Sequence, residues 1–128
     1  MDKQFSVLVV EDEDHIRRIL EYNLKLDGFD VRVAENGRKG LELVHQQHPD
    51  VILLDWMMPE MNGLEMLSVL KKDKQTENIP VFMLTARAMM QDLGTALLEG
   101  ADDYIVKPFD PKDLGSTIRH KLGKMVSN

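Results

Sequence analysis

The sequence contains no cysteine, and this and other absences exclude several classes of protein. Without cysteine the chain forms neither disulfide bonds nor thiolate metal sites, which agrees with a reducing compartment. No apolar run approaches the roughly 20 residues that cross a bilayer. The opening MDKQF also lacks the layout of a secretion signal. We therefore expect a cytoplasmic protein that does not associate with membranes.

Basic residues are in the minority. Sixteen Lys and Arg residues stand against 22 Asp and Glu residues, which gives a net charge of −6. Because a phosphate backbone repels an acidic surface, direct nucleic-acid binding by this domain is not expected. The 128 residues, of which 43% are hydrophobic and 30% charged, suit one globular domain with one core.

Short runs rich in β-branched residues alternate with segments whose apolar residues recur every three or four positions. The runs predict strands and the segments predict helices. The strand-like runs are 5–10, 30–34, 51–54, 81–84 and 103–106. This alternation requires crossover connections, and hence a parallel α/β sheet with helices on both faces. The run at 30–34 alternates in polarity and contains Arg32, so we expect it near an edge of the sheet.

Residues with capping preferences mark the expected helix ends. Asn62 begins a capping-box pattern, and Asp110 precedes a proline, which predicts a second helix start. Asp14 is interpreted as a further N-cap. Gly28 and Gly100 are the expected helix stops.

Polar side chains stand where four of the five predicted strands end. Glu11 and Asp12 follow the first strand, Asp55 the third, Thr85 the fourth and Lys107 the fifth. Because the carboxyl ends of parallel strands lie along one edge of a sheet, we expect these five side chains to gather at one site.

The predicted site contains three carboxylates, which repel one another unless a cation lies among them. Oxygen ligands favour a hard ion, and a few carboxylates that leave room for water suit Mg²⁺ better than Ca²⁺, with Mn²⁺ as a substitute. A metal, a lysine and a hydroxyl are the groups that hold a phosphoryl group. Since no Ser, Cys or His shares these strand ends, Asp55 is the predicted nucleophile and phosphorylation site.

Four motifs at these strand ends resemble the receiver domain of two-component response regulators, from about Val7 to Leu122. The motifs are VVEDE, LLDWMMPEMNG, MLTA and GADDYIVKPF, and they are most similar to those of winged-helix transcription regulators. The resemblance implies a doubly wound five-stranded parallel sheet of order 2-1-3-4-5 with five helices. It places this receiver domain at 1–124 and a short C-terminal tail at 125–128.

The resemblance also implies a role for each site residue and a partner. Mg²⁺ would be bound by Asp12 and Asp55 directly, by Glu11 through water and by the backbone carbonyl of Met57. Phosphoryl oxygens would be held by Lys107, Thr85 and the amide of Ala86, and the switch would couple Thr85 to Tyr104. A cis peptide is expected at Lys107–Pro108. The phosphoryl donor would be a sensor histidine kinase or a histidine phosphotransfer protein, and the domain, although no enzyme, would assist its own phosphorylation and dephosphorylation.

Some of these residues also have purely structural interpretations. Taken singly, Thr85 would be a cap or turn residue, Lys107 a solvated surface lysine and Tyr104 a core aromatic whose hydroxyl contacts water. Trp56 is interpreted as a partly exposed neighbour of the site, and Met58 as core. The histidines show no ligand spacing and are expected at the surface: His15, His45, His48 and His120.

Assembly and output are less constrained by the sequence. Receivers of the winged-helix class pair through charged residues on their fourth and fifth helices, but the matching positions here hold Leu93 and Thr117, which argues against that form of pairing. A homodimer is kept as one alternative for the assembly. Met89 and Met90 are either an adaptable contact surface or core. Arg87 is expected to affect the lifetime of the phosphorylated form. The output domain or partner protein is not specified.

Other functions remain as alternatives. A degenerate receiver would act as a phosphorylation-independent interaction module, although the full set of five polar residues argues against it. A phosphatase of the haloacid dehalogenase kind needs a second Asp two positions after the nucleophile, where this chain has Met57. A flavodoxin-like cofactor binder would not place EDED beside a phosphate. The nucleotide motifs G-x-G-x-x-G and G-x-x-x-x-G-K-[ST] do not occur.

Overall fold

The computed structural model describes residues 4–58, 61–86 and 93–126, in which strands and helices alternate as predicted. The strands are β1 (Ser6–Val10), β2 (Asp30–Ala34), β3 (Val51–Asp55), β4 (Val81–Ala86) and β5 (Asp103–Lys107). The helices are α1 (Asp14–Leu26), α2 (Gly37–Gln46), α3 (Gly63–Lys72), α4 (Leu93–Leu98) and α5 (Pro111–Val126). Among the described residues, no helix is both long and apolar enough to cross a bilayer.

All neighbouring strands pair in parallel, in the order β2-β1-β3-β4-β5. This confirms the predicted doubly wound sheet and the edge position of β2. Every residue of β3 is buried, as is every residue of β1 except Ser6 and of β4 except Ala86, because these central strands carry helices on both faces. Their uninterrupted apolar runs are therefore a direct result of their position in the sheet.

The two faces of the sheet form two separate hydrophobic cores. One core packs alternate strand residues, among them Leu8 and Leu54, against side chains of α2, α3 and α4. The other packs the residues between them, such as Val9 and Leu53, against α1 and α5. Because side chains alternate along a strand, each residue at a strand end is directed toward one of these faces.

Most of the predicted helix ends are confirmed. Asn62 and Glu65 form a reciprocal capping box at the start of α3. The Asp110 carboxylate accepts from the Lys112 amide at the start of α5. Gly28 has a φ of 91° and Gly100 a φ of 112°, a backbone region that glycine adopts without strain.

The N-cap predicted at Asp14 is wrong. The N-cap of α1 is Glu13, whose side chain makes no capping hydrogen bond, and Asp14 is the first residue of the helix. An acidic side chain in the first turn still suits the helix dipole, and Asp14 is held by an ion pair to Arg17 three residues further on. At the other end of the chain, α5 continues to Val126. The domain boundary at residue 124 stays a prediction.

Candidate functional site at the carboxyl edge of the sheet

Strand pairing brings the predicted site residues to one edge. Val10 pairs with Leu54, Asp55 with Leu84, and Ala86 with Lys107, so the ends of β1, β3, β4 and β5 lie side by side. Asp55 and Lys107 are the last residues of β3 and β5, and Glu11 directly follows β1. Each of the three lies two residues beyond a strand residue of the core that packs against α1 and α5. Because side chains alternate along a strand, all three point to that same face of the sheet.

Lys107 connects the two most buried carboxylates of the site. Its Nζ lies 2.9 Å from Asp55 Oδ1 and 3.0 Å from Glu11 Oε1. Glu11 is completely buried and Asp55 is 5% exposed. Asp12 is half-buried, and one carboxylate oxygen from each of the three acids lies within 4.8 Å of the other two. The convergence of Glu11, Asp12, Asp55 and Lys107 is thus present in the structure.

The burial of these acids changes their titration. Burial, and then the negative charge of Asp55, raises the pKa of Glu11 to about 7, although hydrogen bonds from Lys107 and the Glu13 amide oppose the shift. Burial also raises the pKa of Asp55, against the hydrogen bond from Lys107. Burial acts to lower the pKa of Lys107, but its hydrogen bonds to Asp55 and Glu11 outweigh burial and the pKa is raised. The lysine is therefore protonated at neutral pH.

These shifts predict how stability depends on pH when no divalent ion is present. Because the pKa of Glu11 is about 7 when folded and 4.5 ordinarily, the folded chain binds more protons than the unfolded chain between these values. The contribution of Glu11 to the free energy of unfolding therefore falls as pH rises from 4.5 toward 7. Asp55 contributes with the same sign. Urea unfolding in a chelating buffer across this range measures the slope.

The control for this pH dependence is Glu11→Gln, which keeps the shape of the side chain but cannot ionise. We expect the variant to lose much of the decline in stability that wild type shows between pH 5 and pH 7. A wild-type protein whose stability rises steadily over this interval would contradict the assigned pKa directions.

The donor set fits a hard divalent cation. Three carboxylates converge, two of them buried, and they supply only oxygen ligands, as Mg²⁺ prefers. Lys107 supplies one positive charge to two of the three acids, which leaves net negative charge at the site. A divalent ion would neutralise this excess. Met57, two residues beyond Asp55, has a side chain that is 63% exposed.

The predicted phosphoryl-binding and switch residues on β4 and β5 are Thr85, Ala86 and Tyr104. Thr85 is buried, and its Oγ1 donates to the Ala86 carbonyl oxygen at 3.2 Å. Ala86 ends β4 and is exposed. Tyr104 is half-buried and packs against the core on the α2 and α3 side. Since Met83 pairs with Tyr104, and Thr85 is two residues beyond Met83, Thr85 and Tyr104 belong to the same face of the sheet.

One expectation about the neighbours of the site is wrong. Trp56 is 7% exposed and belongs to the core, because its amide continues the pairing of β3 by donating to the Leu84 carbonyl and its side chain turns inward. Met58 is buried as predicted. All four histidines are exposed as predicted, and the Lys107–Pro108 peptide is cis. Arg87, Met89 and Met90 lie outside the described residues.

Two residues that sequence reasoning missed shape this site. Gly63, the first residue of α3, donates its amide to the Trp56 carbonyl at 2.9 Å and lies against the backbone of Asp55. Arg17 donates to the backbone carbonyls of Glu11 and Asp12. A glycine directly after the capping residue Asn62 was a usable signal for close backbone approach. Arg17 carried no such signal, because an arginine three residues after Asp14 is also typical of a surface ion pair on a helix.

An apolar cleft opens beside the acidic site. It has a volume of about 340 Å³ and is lined by Ile16 and Ile19 of α1, by Lys107, and by residues of the loop that follows β5. Lys107 therefore borders this cleft and also contacts the buried acids. A molecule bound in this cleft would approach the acidic site from the side of α1.

Comparisons with known proteins agree with this geometry. The response regulator receiver domain family matches residues 7–119. The probable transcriptional regulator ycf27 of Guillardia theta is 44% identical over 122 residues, which cover 95% of this chain and 47% of that protein. The phosphate regulon transcriptional regulatory protein PhoB of Klebsiella pneumoniae is 44% identical over 113 residues, which cover 88% and 49%. The chain spans about half the length of these curated relatives.

Solved structures show the same fold. The chemotaxis response regulator CheY4 of Vibrio cholerae superposes with a TM-score of 0.86 at 30% identity, covering 93% of this chain and 99% of that one. A response regulator from Chloroflexus aurantiacus superposes with a TM-score of 0.87 at 29% identity, covering 94% and 99%.

Proposed function

The chain belongs to the response regulator receiver domain family, and from that premise we propose that it is a phosphorylation-controlled switch whose phosphoacceptor is Asp55. The observation that carries this proposal is the contact of Lys107 Nζ with both Asp55 and Glu11, at 2.9 and 3.0 Å. A buried carboxylate at a strand end, paired with an amine and flanked by two more acids, is equipped for phosphoryl transfer.

In the proposed reaction, a carboxylate oxygen of Asp55 attacks the phosphorus of a phosphorylated histidine. The new P–O bond forms as the P–N bond of the donor breaks, and the electron pair leaves with the imidazole nitrogen. Lys107, which is protonated, stays close to the acceptor and stabilises the negative charge on the transferred group. The domain is the substrate of the kinase, and its own site residues assist the transfer. It is a regulator rather than an enzyme.

A divalent ion, Mg²⁺ or Mn²⁺, belongs to the proposal. Asp12 and Asp55 would hold it directly, Glu11 through water and Met57 through its backbone carbonyl. When bound, the ion supplies positive charge against the phosphoryl oxygens. The convergence of three carboxylate oxygens within 4.8 Å supports this assignment.

The proposed switch runs from Thr85 to Tyr104. The Thr85 hydroxyl now donates to a backbone carbonyl within its own strand. A phosphoryl group on Asp55 would offer it a more strongly charged acceptor, with Lys107 and the Ala86 amide as further donors. Because Thr85 and Tyr104 share one face of the sheet, a shift of the hydroxyl changes the space beside the tyrosine ring.

The proposed partner is a sensor histidine kinase or a histidine phosphotransfer protein. The apolar cleft beside Lys107 supports this choice, since it gives a protein donor a surface next to the acceptor. The relatives are named as transcriptional regulators, which supports a cytoplasmic location and an output in gene control. Direct contact with DNA is not proposed for this domain, whose net charge is −6.

The proposal is tested by incubation with Mg²⁺ and a small phosphodonor such as acetyl phosphate, followed by intact-mass measurement. We expect wild type to gain one phosphoryl group. Asp55→Asn, which keeps the side-chain shape, and wild type with a chelator should gain none. The matched control is Asp30→Asn, an exposed aspartate in β2, which should be labelled like wild type.

An unchanged mass for wild type under these conditions would favour the phosphorylation-independent interaction module. Equal labelling of Asp55→Asn and wild type would instead place the phosphoryl group on another residue.

A further inference from the structure

Arg17, at the end of the first turn of α1, folds its side chain back over the loop between β1 and α1. Its Nη1 donates to the backbone carbonyl oxygen of Glu11 at 3.0 Å and lies 3.4 Å from that of Asp12. Its Nη2 donates to the carboxylate of Asp14. The side chain is only 15% exposed. One guanidinium therefore joins three acidic residues through two backbone oxygens and one side chain.

The loop held by Arg17 has few other attachments. Glu11 donates its amide to the Ala34 carbonyl at 3.0 Å, and the Glu13 amide donates to the Glu11 carboxylate at 3.2 Å. Glu13, the N-cap of α1, provides no side-chain cap. In the described part of the chain, no hydrogen bond fixes the carboxylate of Asp12. The direction of that carboxylate therefore depends on the backbone that Arg17 holds.

We propose that Arg17 is a positioning residue for the divalent-ion site, because it fixes the backbone from which the carboxylates of Glu11 and Asp12 extend. This inference rests on the proposed function, since it requires that the site bind Mg²⁺. Arg17 does not contact the ion or the phosphoryl group. It reduces the rearrangement that the two acids undergo when the ion binds, as residues that hold the ligands in place do at other metal sites.

The charge and the position of Arg17 have opposite effects on ion binding. A guanidinium close to the site repels a cation, so its removal by itself would tighten Mg²⁺ binding. Loss of the bonds to the Glu11 and Asp12 carbonyls frees the loop, and this would weaken binding. The direction of the change in affinity therefore separates a positioning residue from a simple surface charge.

The experiment compares Mg²⁺ affinity by isothermal calorimetry in wild type, Arg17→Ala, Arg17→Lys and Arg18→Ala. Arg18 is the next residue of α1, is exposed, and provides a control with the same loss of charge. We expect Arg17→Ala to bind Mg²⁺ about tenfold more weakly, as is common when a group behind a metal ligand is removed. Arg18→Ala should bind as tightly as wild type or slightly more tightly. Arg17→Lys keeps the charge but has a single donor nitrogen in place of two, so its affinity should lie between those of Arg17→Ala and wild type.

Circular dichroism establishes whether each variant is folded before the titrations. If Arg17→Ala does not fold, Arg17→Lys decides the question, and weaker binding than wild type supports the positioning role. Affinity equal to or tighter than wild type in the folded Arg17 variants would overturn that role while leaving the Mg²⁺ site intact. Absence of Mg²⁺ binding in wild type and Arg18→Ala would overturn the proposed function, and the inference with it.

Discussion

Gly63→Ala is expected to destabilise the protein by about 2–3 kcal/mol and to disrupt the site, because this position has no room for a side chain. A Cβ at Gly63 would lie 2.2 Å from the Asp55 carbonyl oxygen and 3.0 Å from the Trp56 Cα. Both are backbone atoms, which cannot rotate away as the end of a flexible side chain can. The start of α3 must therefore separate from the end of β3.

This separation acts on the proposed phosphoacceptor, Asp55. The Gly63 amide bond to the Trp56 carbonyl would lengthen, and Asp55 would move with its strand. Because a displacement of about 1 Å can reduce a reaction rate by roughly a hundredfold, labelling of Asp55 by acetyl phosphate should slow by at least tenfold. Urea unfolding and the time course of the mass change measure the two effects.

Gly94→Ala is the matched control. Gly94 lies in α4, and a Cβ there would meet nothing within 4 Å. The substitution should leave stability unchanged or raise it by up to about 1 kcal/mol, because alanine favours helices. If Gly63→Ala unfolds at the wild-type urea midpoint, the close packing of α3 on β3 is not the constraint described here.

Lys107→Ala is expected to have the second large effect, because it leaves two buried carboxylates without their common partner. Without divalent ions at pH 8, we expect a loss of about 2–3 kcal/mol in the free energy of unfolding, near the lower limit for a broken buried ion pair. The loss should be smaller at pH 5, where Glu11 is protonated and needs no counterion.

Mg²⁺ should still bind Lys107→Ala, because none of the proposed ligands is removed, and saturating Mg²⁺ should recover part of the lost stability. The phosphorylated variant should nevertheless lack the change at Tyr104 that we expect wild type to show by NMR. Lys121→Ala is the control for stability alone, because Lys121 also lies over the Tyr104 ring. Lys121 pairs with Asp103 at a more exposed site, and its removal should cost no more than about 1 kcal/mol. Normal switching in Lys107→Ala would show that this lysine does not couple phosphorylation to the output face.

The family and the acidic site at the edge of the sheet could be predicted from the sequence, because both depend on the period of apolar residues and on the position of polar residues at strand ends. Buried central strands require unbroken apolar runs, and the parallel connection places their carboxyl ends together. Glu11, Asp55 and Lys107 are nearly a hundred residues apart at the extremes, yet their placement at strand ends was sufficient to bring them into one predicted site. Helix ends at Asn62 and Asp110 followed from local capping chemistry in the same way.

The contacts that depend on side-chain direction were decided only by the tertiary structure. Trp56 was expected to be a partly exposed neighbour of the site, but its amide donates to the Leu84 carbonyl and its ring belongs to the core. Asp14 was expected to cap α1, but Arg17 holds it as an ion pair inside the helix. A sequence pattern determines the face of the sheet or helix on which a residue lies. The hydrogen-bond or ion-pair partner that its side chain then finds depends on the distances between elements.

The sequence by itself therefore determined the alternating α/β fold, its sheet order through the family resemblance, and the group of polar residues that meets at one edge. Only the tertiary structure decided that Lys107 joins Asp55 to Glu11, that Gly63 lies against the Asp55 backbone, and that Arg17 holds the acidic loop. The physical reason is the distance along the chain over which each effect acts. Periodicity and capping act over a few neighbouring residues, while these contacts depend on how separate elements pack, to within about 1 Å.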